Sequence, residues 1–332
     1  MNMVDQFLAY EYGKTKQKFR IEDCLDGKVD FSSWKPKFQD ELYRLLAIDA
    51  EPKYEIDMEE PQGEVEGYAL SKMTYILPGG LICPCYILKP KKPKAVVLAF
   101  HGHGIGVKDI LGTVTEDSYQ HHFALELCKK GFVVLAPEFL GFGTLRLQKD
   151  YELGDDPDAW SCHRLSMNLL ASGKSLLGMR VTQAKAVLRI ARNMYPEKKL
   201  GVMGISGGGT VATFLSALED STIASVVISG YANYFKDSIL DMHHCVCNYL
   251  PGMLQSFELP TLVSSIAPIP MLWESGSMDP IYPQESARKA ENITRKVYEK
   301  WGNGSDFKTD YFEGIHEIHG IKAYEFLEKH LK

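Results

Sequence analysis

From Gly67 onward, short and uniformly apolar runs alternate with longer amphipathic stretches. Tyr68 to Leu77 and Leu81 to Leu88 predict two strands, and Pro78-Gly79-Gly80 between them predicts a hairpin turn. Ala95 to Phe100, Phe132 to Ala136, Leu200 to Ile205, Ala224 to Ser229, Pro270 to Glu274 and Lys308 to Phe312 predict further strands. Helical patterns separate them: Ser118 to Lys130, closed by Gly131, then Ser175 to Met194, then Gly208 to Leu218. Strands that are apolar on both faces belong in a sheet covered on both sides, and their alternation with helices predicts a mainly parallel order. The expected class is α/β, with the opening hairpin adding antiparallel strands at one edge.

Residues 1–60 read as a helical extension. Ser32 or Ser33 offers a cap, Pro36 falls in the first turn, and Trp34, Phe38, Leu42, Leu45 and Leu46 share one face. The acidic segment Glu51 to Glu66, which contains Pro52 and Pro61, reads as the linker to a main domain over residues 61–332. Two segments break the rhythm of that domain, near 138–165 and 230–267. Excursions of such length serve as lids, specificity loops or small caps.

Composition narrows the partners. The 332 residues are 45% hydrophobic and 24% charged, ordinary values for a globular chain with a substantial core. A net charge of -6 without a concentrated basic face argues against nucleic acid. The lysine–proline run from Lys89 to Lys94 reads as a solvated loop. Neither a signal peptide nor an apolar window of ~18 residues is visible, so no membrane partner and a cytoplasmic location are expected. The seven cysteines are odd in number and include two Cys-x-Cys pairs, Cys83/Cys85 and Cys245/Cys247. A four-thiolate zinc site has to be weighed. Zinc loops are usually wider, and Cys83 and Cys85 alternate within a strand where burial accounts for them, so no metal is expected.

The chemistry centres on Gly204-Ile205-Ser206-Gly207-Gly208, a Gly-x-Ser-x-Gly pattern between a strand and a helical run. So tight a turn leaves no room for neighbouring side chains, hence the flanking glycines. It lifts the serine beside the free N–H groups of the helix start. The hydroxyl then needs a base to take its proton. In this arrangement acid and base follow in the order Ser, acid, His, each just after a strand. Asp279, in the loop Ser275-Gly276-Ser277-Met278-Asp279-Pro280, is the expected acid; Glu274 competes but lies at the strand end. His316 is the expected base, because Gly314 permits a sharp turn after the last strand, and His319 is its alternative. The His316-Glu317-Ile318-His319 run falls short of the spacing that puts two imidazoles on one helical face. An oxyanion hole requires two backbone N–H donors, expected from Gly207 and from His103, with Gly104 as the alternative, in the loop His101-Gly102-His103-Gly104-Ile105-Gly106. The side chains of His101 and His103 are expected to brace that loop.

These motifs resemble the α/β-hydrolase superfamily, and within it the bacterial acetyl xylan esterase-like and dienelactone hydrolase-like group. Leu176-Leu177-Gly178-Met179-Arg180, Ser229-Gly230-Tyr231, His243-His244-Cys245 to Asn248-Tyr249-Leu250-Pro251-Gly252, and Ile266-Ala267-Pro268 extend the resemblance over residues 60 to 332. It implies a Ser–His–Asp triad on Ser206, His316 and Asp279, with no metal or organic cofactor. Where the xylan deacetylases carry an Arg-Gly-Gln loop, this chain carries His101-Gly102-His103. Dienelactone hydrolases use a cysteine where this chain has Ser206. The excursions supply aromatic and imidazole side chains for a pocket, with Tyr231, His244 and Trp160 as the expected substrate contacts. The activity expected is hydrolysis of small carboxylic esters, short acyl and acetyl esters among them, through an acyl-enzyme. One rival is a peptidase of the prolyl oligopeptidase type, for whose propeller the preceding residues are too few. The other is a binding protein on a hydrolase scaffold, which the complete triad argues against.

Overall fold

The computed structural model describes residues 2–154, 160–219 and 221–332. Its nine strands are β1 (Glu55–Val65), β2 (Tyr68–Leu77), β3 (Leu81–Lys89), β4 (Ala95–Phe100), β5 (Phe132–Pro137), β6 (Leu200–Ile205), β7 (Ser225–Ser229), β8 (Met271–Gly276) and β9 (Phe307–Phe312). They form one sheet in the order β1-β2-β3-β5-β4-β6-β7-β8-β9. The Pro78-Gly79-Gly80 turn sets β2 antiparallel to β3, with Leu77 opposite Leu81. From β5 to β9 every pairing is parallel. The strand period of two sends Val96, Leu98 and Phe100 of β4 into one core layer, and Val97 and Ala99 into the other. This is an α/β-hydrolase fold.

The helix Phe31–Leu46, third in the chain after Met3–Lys14 and Ile21–Leu25, joins the larger of those layers. Trp34 stacks on Phe38 at 4.8 Å, Phe31 on Trp301 at 4.6 Å, and Phe38 meets Phe257 edge-on at 5.4 Å. The cap is Asp30 rather than Ser32 or Ser33: its carboxylate accepts from the Ser33 N–H at 3.1 Å. Because the helix therefore starts earlier, Pro36 lies inside it instead of in its first turn, and one backbone hydrogen bond is forgone.

Two other expectations change. The acidic linker is instead β1, an exposed edge strand with irregularities at Ile56/Met58 and Pro61/Gly63, so the expected boundary at residue 60 falls inside a strand. Charges and a proline suit an edge that faces water on both sides as well as they suit a linker. The helix expected over Ser118 to Lys130 spans only Phe123–Lys129. His121 and His122 ahead of it adopt left-handed backbone at φ 46 and φ 45, leaving Ser118 to Gln120 as a loop. Among the described residues no helix is long and apolar enough to cross a membrane.

Candidate active site

Parallel strands leave their carboxyl ends along one margin of the sheet, and the loops after β4, β6, β7, β8 and β9 meet there. Ser206 follows β6 directly with φ 55 and ψ -120, a conformation that a non-glycine residue adopts only under constraint. Close approach explains the flanking glycines. A methyl group on Gly204 would lie 2.3 Å from the Gly208 carbonyl oxygen, and one on Gly208 would lie 2.0 Å from that of Phe100. Gly207 opens the helix Gly207–Leu218, where a backbone N–H has no partner within the helix.

His316, after β9, donates through Nδ1–H to Asp279 Oδ2 at 2.8 Å. Asp279 is fixed in turn, since its Oδ1 accepts from the N–H groups of Ile281 at 2.8 Å and Tyr282 at 2.9 Å. The imidazole stacks against Tyr119 at 5.5 Å and Tyr282 at 5.7 Å. Among the described residues its buried Nε2 has no hydrogen-bond partner. Ser206 and His316 line the same cavity of about 920 Å³, together with His103, Tyr119, Trp160 and His244. A ring nitrogen that shares a cavity with a serine in constrained backbone is a chemically suitable proton acceptor.

The competitors sit elsewhere. Glu274 is buried, its Oε1 accepts from the Gly320 N–H at 2.7 Å, and burial raises its pKa to about 7. His319 pairs through Nδ1 with Asp310 at 2.7 Å and stacks on Phe312 at 4.5 Å.

The loop after β4 is braced at several points. His101 is buried, with Nδ1 2.8 Å from the Gly102 oxygen and Nε2 3.2 Å from the Phe139 nitrogen. Gln120 accepts from the Gly102 N–H at 2.7 Å and donates to Asp109 at 3.0 Å; Asp109 also accepts from the Ile105 N–H at 3.1 Å. Burial raises the Asp109 pKa above the ordinary carboxylate value. A methyl group on Gly102 would sit 2.2 Å from the Tyr119 hydroxyl and 3.1 Å from Ser206 Cβ, so a bare glycine lets that hydroxyl reach the serine. The same hydroxyl donates to the His103 carbonyl at 2.7 Å. Sequence reasoning missed Tyr119, Gln120 and Tyr282. The only available signal for the first two was a polar break before an apolar helix.

Of the expected substrate contacts, Trp160 and His244 reach the cavity wall. Tyr231 does not: it is buried in the core, edge-on to Tyr282 at 5.7 Å. The residue after the β7 glycine turn points inward, a direction that spacing alone could not give. Burial first, then the nearby His103 and His316 rings, lowers the His244 pKa to about 4, so it is neutral near pH 7.

The cysteine pairs also separate. Cys83 and Cys85 are both buried in β3, as a strand position predicts. Cys245 and Cys247 instead meet Cys162 and His103, with all four ligand atoms within 4.8 Å of one another. This departs from the expectation that the His103 side chain merely braces its loop. Glu274, Asp310 and His319 form a second close group, in which Lys322 already pairs with Asp310 at 2.8 Å.

A model of the abhydrolase family matches residues 4–301. No curated protein sequence matches. Among solved structures, a Bacteroides fragilis protein assigned as an acetyl xylan esterase superposes with a TM-score of 0.73 at 19% identity, covering 92% of this chain and 81% of that one. A glucuronoyl esterase from Solibacter usitatus gives 0.62 at 12% identity, with 90% and 92% covered. Acetyl xylan esterase 1 from Thermoanaerobacterium gives 0.51 at 20% identity, with 91% and 94% covered. At these identities the likeness is one of fold.

Proposed function

The chain belongs to the abhydrolase family, and from that premise we propose that it hydrolyses small carboxylic esters through Ser206, His316 and Asp279. One observation carries the reading: His316 is held by Asp279 at 2.8 Å while its Nε2 stays unpaired on the cavity that Ser206 shares. The esterase names of the structural neighbours agree with it.

In this reading the Asp279 carboxylate holds the imidazole in the tautomer that leaves Nε2 free. That nitrogen takes the Ser206 proton as the oxygen attacks the ester carbonyl. The N–H groups of Gly207 and His103 receive the charge that develops on the carbonyl oxygen. Protonated His316 then gives its proton to the leaving alcohol, and the acyl group remains on Ser206. A water molecule, deprotonated by the same nitrogen, releases the acid. Trp160 and His244 contribute to the wall that seats the substrate, His244 as a neutral hydrogen-bonding group. Short acyl groups, acetyl included, are the proposed acyl class.

The test is turnover of p-nitrophenyl acetate by Ser206→Ala. A loss on the order of a thousandfold or more is expected, which is several kcal/mol of barrier. Full activity in this variant would sink the reading.

A further inference from the structure

We propose that His103, Cys162, Cys245 and Cys247 form a closed tetrahedral site for one divalent transition-metal ion of the zinc class, built against the wall of the cavity. The four residues come from three separate parts of the chain. His103 lies in the loop after β4, Cys162 opens the helix Cys162–Ala171, and in the 230–267 excursion Cys245 caps the single turn Val246–Asn248 that contains Cys247. Their atoms nevertheless converge. His103 Nε2 is 3.4 Å from Cys247 Sγ and 3.9 Å from Cys162 Sγ, and the Cys245 and Cys247 sulfurs are 3.1 Å apart.

Those separations suit one ion. Zinc bonds sulfur at about 2.3 Å and nitrogen at about 2.0–2.1 Å, so the edges of its tetrahedron are roughly 3.5–3.8 Å. All four ligand atoms lie within 4.8 Å of one another, so small side-chain rotations close the shell. The group is too tight to surround a multinuclear cluster. Three thiolates with one imidazole are a soft donor set, which favours zinc over hard cations. With every position supplied by the protein, the ion would serve to hold structure, since a catalytic zinc keeps a position open.

The charge balance is in keeping with such an ion. Arg180 is buried, with Nη2 donating to Cys162 Sγ at 3.0 Å and Nε donating to the Leu140 oxygen at 3.0 Å. Among the described residues no carboxylate pairs with it. A thiolate on Cys162 alone would give the buried guanidinium its counter-charge, but a second and third bare thiolate beside it would repel one another. A divalent ion with three thiolates and a neutral imidazole carries a single negative charge, which Arg180 cancels. Asn248 Nδ2, 3.5 Å from Cys247 Sγ, is placed as the kind of outer partner that orients a metal ligand.

Such an ion would tie the His103 loop to both excursions at one point. The site does not require Ser206 to be a nucleophile. Ser206→Ala should therefore keep full metal content, which separates failure of this proposal from failure of the ester reading.

The experiment is metal analysis of the full chain purified under reducing conditions, followed by chelation and titration with Co2+ and then Zn2+. The expected result is about one equivalent of zinc-class metal per chain. Cobalt should give thiolate-to-metal charge-transfer absorption and tetrahedral d–d bands, displaced by zinc. The pair Cys162→Ser and Cys247→Ser should abolish the cobalt spectrum, whereas Cys83→Ser with Cys85→Ser should leave it. The proposal is overturned if reduced wild-type chain gives no charge-transfer band. A full spectrum in the Cys162/Cys247 variant overturns it equally. Should that variant fail to fold, the wild-type cobalt spectrum decides alone.

Discussion

Replacing Gly230 by alanine brings a methyl group to 2.6 Å from Cε1 and 2.8 Å from Nδ1 of His316. Carbon atoms rest at about 3.5 Å or more, so one partner must retreat by about 1 Å. The ring has little freedom to do so. Tyr119 and Tyr282 stack against it at 5.5 and 5.7 Å, and Asp279 holds Nδ1 at 2.8 Å. The backbone cannot relieve the contact cheaply either, because Gly230 sits at φ 55, where a Cβ costs about 1–2 kcal/mol. A displacement of about 1 Å in a reacting group costs on the order of a hundredfold in rate, or roughly 2.7 kcal/mol of barrier. Gly230→Ala should thus lower kcat for p-nitrophenyl acetate about a hundredfold while KM changes little. Circular dichroism and a thermal melt would establish that the variant is folded. Turnover within about threefold of the parent in a folded variant would refute the reasoning, because the position of His316 would then not govern the rate.

Asp279→Asn keeps the shape but offers an amide to Nδ1 and so favours the wrong imidazole tautomer. A loss in kcat on the order of a thousandfold to ten-thousandfold is expected, and a loss below about tenfold would count against the triad. Glu274 has its pKa raised from 4.5 to about 7 by burial. The folded state thus holds a proton that the unfolded state has released. Stability falls as pH rises from about 4.5 to about 7, by on the order of 3 kcal/mol, and stays lowered above that. Glu274→Gln should remove this dependence, so urea melts should show the variant gaining on the parent between pH 5 and pH 8; an equal difference at both would contradict it. Phe38→Ala removes a fully buried ring wedged between Trp34 and Phe257. A loss of about 3–5 kcal/mol by denaturant titration is expected, and a near-neutral change would mean that the N-terminal helix contributes nothing to the core.

The central parallel strands were legible because they are apolar runs that end at a glycine or polar turn, as β4 and β6 do. Ser206 was legible for the same reason, its motif standing between two such elements. Asp279 and His316 were found by chain order, and the structure brings those two side chains into contact. What escaped was whatever depends on direction rather than spacing. Tyr231 turns inward after Gly230, and Tyr119 reaches the serine from a segment that looked like the start of a helix. The meeting of Cys162 with Cys245 and Cys247 joins excursions that are far apart in the chain. No periodicity encodes such a meeting, because tertiary packing alone creates it. The strand β1 was misread because acidic residues mark solvent exposure, and a linker and a sheet margin are equally exposed.

That margin has a consequence for the molecule in crowded solution. β1 ends the sheet with a row of backbone groups open to another chain, the template from which fibrous aggregates grow. Along it stand Glu55, Asp57, Glu59, Glu60 and Glu64. Two copies that approach margin to margin therefore bring negative charge against negative charge. Mild acid or high salt would quiet that repulsion and let the bare strands find each other. A strip of carboxylates that takes no part in the proposed chemistry thus opposes edge-to-edge association.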